Sequence, residues 1–309
     1  MFGAQLALGV VGVAAATTAV VTAAGSVHRA PRGGHLVVIA GQQFTYPAVN
    51  VAAAVLLALA GLGAVVLALI ARGAWRQLRA YRRFVRDLPV LGGLPGHQGV
   101  IVVHEASPQA FCVGYLRPRV YISRGAVELL SEAELRAVLS HEERHRSSRD
   151  PLRFACGRLL SQALFFLPAL RRLGDRHEEL AEQQADQAAV RASAGERAPL
   201  AAALIAFAEA APAGGVGVSN ERVDSLLGQP VRWRLPTALI AVSLGALCAV
   251  VVLVWRASAA ASAHTSFSLP MLSAQPCMLV LALLPAAVAL AACVWQRNLS
   301  SSRSRTAAA

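Results

Sequence analysis

Four stretches of the chain run uncharged and apolar for about the 20 residues that a helix needs to cross a bilayer: Leu6 to Ala24, Val51 to Ala71, Leu235 to Trp255 and Cys277 to Trp295. No polar face interrupts them, as one would in helices buried on one side of a soluble core, so each is read as a transmembrane helix. The first is rich in Ala, Thr and Val and resembles a cleaved leader in that respect. No arginine precedes it and its apolar run is long, so it is read as a retained anchor.

The polar middle of the chain has a different rhythm. Residues 76 to 88 alternate as an amphipathic, arginine-lined helix leaving the membrane, and Pro89, Gly92, Gly93, Pro95 and Gly96 end it in a turn-rich linker. Gly99 to Glu105, Gln109 to Tyr115 and Pro118 to Ser123 are short runs of β-branched and aromatic residues separated by turns, which predicts a small antiparallel sheet. From Ser131 the period becomes helical: Ser131 with Glu134 forms a capping box, and Leu135, Val138 and Leu139 supply an apolar stripe. Leu159 to Leu170 is apolar but too short to span, so it reads either as an interfacial or re-entrant segment or as a hairpin helix in the domain core. Pro199 to Ala211 predicts a further helix, followed by a Gly-rich loop and a short helix leading back to the membrane. GGVGVS in that loop follows no strand and carries no lysine, which excludes a phosphate-binding loop. The arginine-containing tail from Ser301 is read as disordered.

Composition agrees with this division. Hydrophobic residues make up 56% of 309 residues and only 15% are charged, which excludes intrinsic disorder and does not suit a soluble globule. All 17 acidic residues lie between Asp87 and Asp224, so a charged middle is flanked by apolar ends. The basic residues are 29 arginines and no lysine, a compositional bias rather than a nucleic-acid surface, and no direct nucleic-acid partner is expected. Of those arginines, only Arg29, Arg32 and Arg256 fall in the loops after the first and third stretches, so the positive-inside rule puts the middle region and both termini in the cytosol. The five cysteines contain no CxxC pair, which excludes a disulfide scaffold and a structural zinc knuckle. The expected organisation is two transmembrane helices in 1–71, a cytosolic domain in 72–234 and two more transmembrane helices with a short tail in 235–309.

The candidate chemistry lies in the helix that begins at Ser131. His141, Glu142, Glu143, Arg144 and His145 spell HExxH, and four residues of helix put both imidazoles on one face, about 40° apart, able to grip one ion. Glu142 stands beside that face, where it can take a proton from water. The alternative is a solvated helix with incidental histidines. Downstream, HEELAEQQADQAAV places Glu182 and Asp186 four residues apart on one helical face. Catalytic zinc takes three protein ligands and keeps a position open; Glu182 suits the third, and Asp186 suits a carboxylate that holds a ligand imidazole in place. His177 and Arg191 are candidates for an oxyanion donor, or else solvated residues of a charged helix.

The run from Ile122 to Val190 resembles the membrane metallopeptidase domain of the beta-lactam sensor-transducer (antirepressor) peptidase family, whose relatives include membrane zinc proteases of the prenyl-protein endopeptidase and heat-shock HtpX types. The resemblance rests on QAFCVGYLRPRVYIS, on HEERH followed by Arg149, Asp150 and Pro151, on FFLPALRRL, and on Glu182 with Asp186; it covers about residues 75 to 195. It implies a zincin-like α+β domain with a small sheet inside a mainly α, polytopic membrane protein. It also implies His141, His145 and Glu182 as zinc ligands and Glu142 as catalytic base. The sequence departs from the family at Glu143–Arg144 and at Leu167, and no long extracellular segment follows the last apolar stretch, so the penicillin-binding sensor is expected to be absent.

The resulting expectation is a multi-pass enzyme of the cell membrane, a zinc endopeptidase acting on a protein or peptide at the cytosolic side. A winged-helix repressor is one possible substrate, and quality control of membrane proteins or a non-catalytic receptor or scaffold are the alternatives. The strand Gln109 to Tyr115, if it edges the sheet beside the metal helix, could hold an extended substrate by backbone pairing.

Overall fold

The computed structural model describes residues 1–26, 34–39, 42–47, 51–210 and 236–264. The chain divides into two compact units, one made of 1–5, 74–159 and 170–236, the other of 6–73, 160–169 and 237–309. The described part is mostly helical, with a small mixed sheet and one separate hairpin.

The second unit holds most of the apolar sequence. Its helices are α1 (Phe2–Ser26), α2 (Val51–Asp87) and α8 (Thr237–His264), of which α1 and α2 continue into the first unit. Among the described residues, Phe2–Ala24, Ala54–Asp87 and Thr237–Ala259 are long and apolar enough to cross a membrane. The fourth expected span, 277–295, lies outside the described residues, as do the Gly-rich loop and short helix expected after residue 211 and the tail. The three helices meet through small side chains: Ala19, Ala23, Leu56, Val254 and Ala257 form a buried cluster. At Gly63 a Cβ atom would collide with the carbonyl oxygen of Ala16, so only glycine permits this approach of α2 to α1. Between Ser26 and Val51 the strands β1 (Gly34–Ile39) and β2 (Gln42–Pro47) pair antiparallel, a hairpin not anticipated from the sequence. The runs LVVI and FTY around Ala40–Gly41 carry its signal.

The first unit holds the sheet and the remaining helices. Residues 76–87 are no separate element but the continuation of α2, and the expected linker contains a strand, β3 (Val90–Gly93). With β4 (Val100–Val103), β5 (Ala110–Val113) and β6 (Arg119–Ser123) it forms a four-stranded sheet in the order β3-β4-β6-β5. The expectation of an antiparallel sheet is corrected here. β5 turns back on β6 at the outer edge, which leaves β6 central and parallel to β4, with Val100 opposite Val120 and Val103 opposite Ser123. The interval between β4 and β6, which contains β5, supplies the crossover that a parallel pair requires.

After α3 (Arg124–Leu129), Ser131 caps α4 (Glu132–Ser148) through the full capping box: its side chain accepts from the Glu134 amide while the Glu134 carboxylate accepts from the Ser131 amide. Leu139 of α4 joins Val100, Val120, Ile122 and Ala126 in the core beneath the sheet. On another face Ala137 and Val138 pack on α7 (Ala198–Ala210) through Leu200 and Ala203. α5 (Asp150–Ala163) and α6 (Pro168–Ala192) complete the unit and form a helical hairpin. The apolar segment Leu159 to Leu170 forms the end of α5, the turn Leu164–Leu167 and the start of α6. Leu164 and Leu167 are buried there against Gly12 of α1, and the Ala169 amide donates to Ser243 Oγ of α8 at 3.2 Å, all within the second unit.

Candidate metal centre

α4 presents His141 and His145 on its buried face, each 7% exposed. The helix stops one turn later because Arg149 adopts the left-handed conformation (φ 54°, ψ 39°), and its amide donates back to the carbonyls of Arg146 and His145. Asp150 and Pro151 then open α5, a favourable place for an acidic residue and for a proline that lacks an amide proton. This break swings Asp150 back toward α4, where its Oδ2 lies 2.9 Å from His145 Nδ1.

From the opposite side α6 delivers Glu182 and Asp186. Asp186 Oδ1 lies 3.0 Å from His141 Nδ1, close enough for an ion pair although the ring N–H does not point squarely at the oxygen. Each imidazole thus has a buried carboxylate behind it, Asp186 for His141 and Asp150 for His145. A carboxylate at Nδ1 fixes the ring proton there and leaves the Nε2 lone pair facing inward.

The two Nε2 atoms face each other at 3.2 Å, and the Glu182 carboxylate closes the third side, with Oε2 3.5 Å from His141 Nε2 and Oε1 3.4 Å from His145 Nε2. One ligand atom from each of the three residues lies within 4.8 Å of the others, so the group could hold a metal ion. The donor chemistry fits one. Two nitrogen lone pairs and a carboxylate repel at these distances unless a cation or a proton stands between them. Burial lowers the affinity of the His141 ring for a proton, but contacts with Asp186 and Glu182 outweigh it and push its pKa up to about 9. A proton on the His141 ring would relieve the same repulsion.

Glu142, half-buried, and the three candidate ligand-bearing positions border one cavity of about 370 Å³. Its floor is α4, one wall is β5 with Phe111 and Cys112, and another is α7 with Leu200, Leu204 and Phe207. Burial, then the charges of Glu142 and Glu143, raise the Cys112 pKa to about 12, so at neutral pH it is a thiol and no rival ligand. The two charged residues inside the HExxH motif point away from this cavity. Glu143 forms a bidentate ion pair with Arg146 at 2.6 and 2.7 Å, and Arg144 donates to Gln184 Oε1 of α6 at 2.6 Å.

The structure places His141, Glu142, His145 and Glu182 around one cavity and Asp186 behind His141. His177 and Arg191 are not among the residues lining the cavity. The His177 ring lies between Phe2, tilted against it, and the edge-on ring of Phe154, where burial lowers its pKa, and Arg191 is exposed in the last turn of α6. Sequence reasoning missed the role of Asp150 and the wall from α7. The helix start at Asp150–Pro151 was the available signal for the former.

Residues 76–222 match peptidase family M48, so the part of the chain that carries the His-His-Glu group is similar to a family of metallopeptidases. No curated protein matches the chain.

Proposed function

We propose that the protein is a multi-pass membrane zinc endopeptidase whose catalytic domain faces the cytosol. The observation that carries this reading is the convergence of His141 Nε2, His145 Nε2 and the Glu182 carboxylate, with both Nδ1 atoms already engaged by buried aspartates. The match to peptidase family M48 and the three spanning-length helices support it. The cytosolic orientation rests on the arginine distribution.

In this mechanism His141, His145 and Glu182 would hold the metal, which when bound would supply Lewis acidity toward water and a peptide carbonyl. Glu142 accepts a proton from the attacking water at its carboxylate and returns it to the leaving amine. Asp150 and Asp186 keep the imidazoles in the tautomer that presents Nε2 inward. Among the described residues β5 is an edge strand, and its residues Ala110, Phe111 and Cys112 border the cavity, so its outer backbone edge can pair with an extended substrate beside Glu142. The first substrate to assay is a winged-helix repressor, with membrane-protein quality control and a non-catalytic scaffold as competing outcomes.

The test is metal analysis of the purified protein together with cleavage of casein or of itself. Wild type is expected to hold about one zinc and to cleave. Glu142→Ala is expected to keep the metal and lose roughly 10²-fold or more of the rate. A wild type that binds no metal and never cleaves sinks the enzyme reading.

A further inference from the structure

The first turn of α1, residues 1–5, belongs to the same compact unit as the metal centre. Two side chains reach from it toward the helices that build that centre. Gln5 is 1% exposed although it opens an apolar helix, and its Nε2 donates to the carbonyl oxygens of Gly157 in α5 at 3.3 Å and Leu170 in α6 at 3.0 Å. Gly157 makes room for it: a Cβ there would lie 2.9 Å from Gln5 Oε1. Burying an amide is costly unless it is satisfied, and a leucine would fill the same volume without that cost. What the amide adds is direction, because it sets the separation and register of α5 against α6.

Phe2 makes the second link. Its ring lies 5.3 Å from that of His177, which packs 5.6 Å from Phe154, which in turn lies 6.4 Å from His145 and borders the cavity. The Arg153 guanidinium sits 5.8 Å over the Phe2 ring and 3.7 Å from Asp150 Oδ1, the aspartate behind His145. α5 begins with Asp150, and α6 carries Glu182 and Asp186.

We infer that Gln5 and Phe2 are positioning residues for the metal centre: the N-terminal turn of α1 clamps α5 to α6 and so sets Asp150 and His145 against Glu182 and Asp186. The inference rests on the metallopeptidase reading above. It gives the first turn of the first apolar helix a part in the catalytic unit.

The test uses the full chain in detergent. Zinc dissociation constants are measured by competition with a chromophoric chelator, beside casein turnover and thermal melting, for wild type, Gln5→Leu, Gln5→Glu, Phe2→Leu and Val11→Ala. Val11 is exposed on the same helix and serves as the control. Gln5→Leu is expected to weaken zinc binding about tenfold, the effect usual for losing an outer support of a metal ligand. Gln5→Glu, which keeps the shape but loses the amide donors, is expected to follow it; Phe2→Leu should show a smaller loss and Val11→Ala none. A merely structural role would shift melting and leave the zinc affinity of the folded protein alone, and that result overturns the inference. If Gln5→Leu does not fold, Phe2→Leu decides the matter, and an unchanged zinc affinity there also overturns it. Wild type binding zinc while every variant binds it equally sinks only the clamp; wild type binding none removes the metallopeptidase reading as well.

Discussion

The candidate metal centre and the packed apolar helices solve opposite problems. At the site two buried imidazoles are met by two buried carboxylates, His145 by Asp150 and His141 by Asp186. Among α1, α2 and α8 the contacts depend on side chains that are small or missing, as at Gly63 against Ala16 and in the cluster of Ala19, Ala23 and Ala257. The first region is specified by charge, the second chiefly by shape. The two should therefore respond differently to pH, to metal and to volume.

The largest difference should appear on titration of the metal-free protein. The His141 pKa is raised to about 9 from an ordinary 6.5, so the protonated ring stabilises the fold. That contribution is complete below pH 6.5 and disappears as pH rises through about 9; it is worth on the order of 3 kcal/mol. Thermal melts of the chelated protein should therefore fall across this window, while the zinc-loaded protein, in which the ion replaces the proton, should show no such decline. Parallel curves for the two forms would mean that His141 is not the shared position of proton and metal.

Next in size is Asp150→Asn, which removes the carboxylate behind His145 and should weaken zinc binding by about 10- to 100-fold without altering the packing of the apolar helices. Gly63→Val reverses the pattern. It should destabilise the protein by about 1–3 kcal/mol through overpacking against Ala16, read as a lower melting temperature, with the zinc affinity of the folded fraction unchanged. Smallest of all should be Glu143→Gln and Arg144→Gln, on the outward face of α4. Each should change stability by less than about 1 kcal/mol and leave zinc content at the wild-type level.

The legibility of the sequence follows the same division. Local patterns of fixed period were readable: the Ser131–Glu134 capping box, the His141–His145 pair and the Glu182–Asp186 pair each lie within four residues on one helix. Asp150 was harder, because it stands five residues after His145, which is off the shared face of a continuous helix. Only the left-handed break at Arg149 brings it back. β3 was hidden by Pro89, Gly92 and Gly93, which signal turns, whereas an edge strand can form through backbone pairing with little help from its side chains. The parallel pairing of β4 with β6 depends on where β5 settles, a choice made by tertiary contacts rather than by any segment's own residues. The α7 wall of the cavity arrives from residues far along the chain and has no motif.

The two histidines differ in what ties them to their supporting aspartates. His145 and Asp150 are five residues apart, so the short stretch of backbone through Arg149 keeps them neighbours whatever the rest of the domain does. His141 and Asp186 are 45 residues apart and stay together only while α6 remains docked. If α6 withdrew, the centre would come apart from one side: His145 would keep its tether, while His141 would be left holding neither its aspartate nor the carboxylate of Glu182.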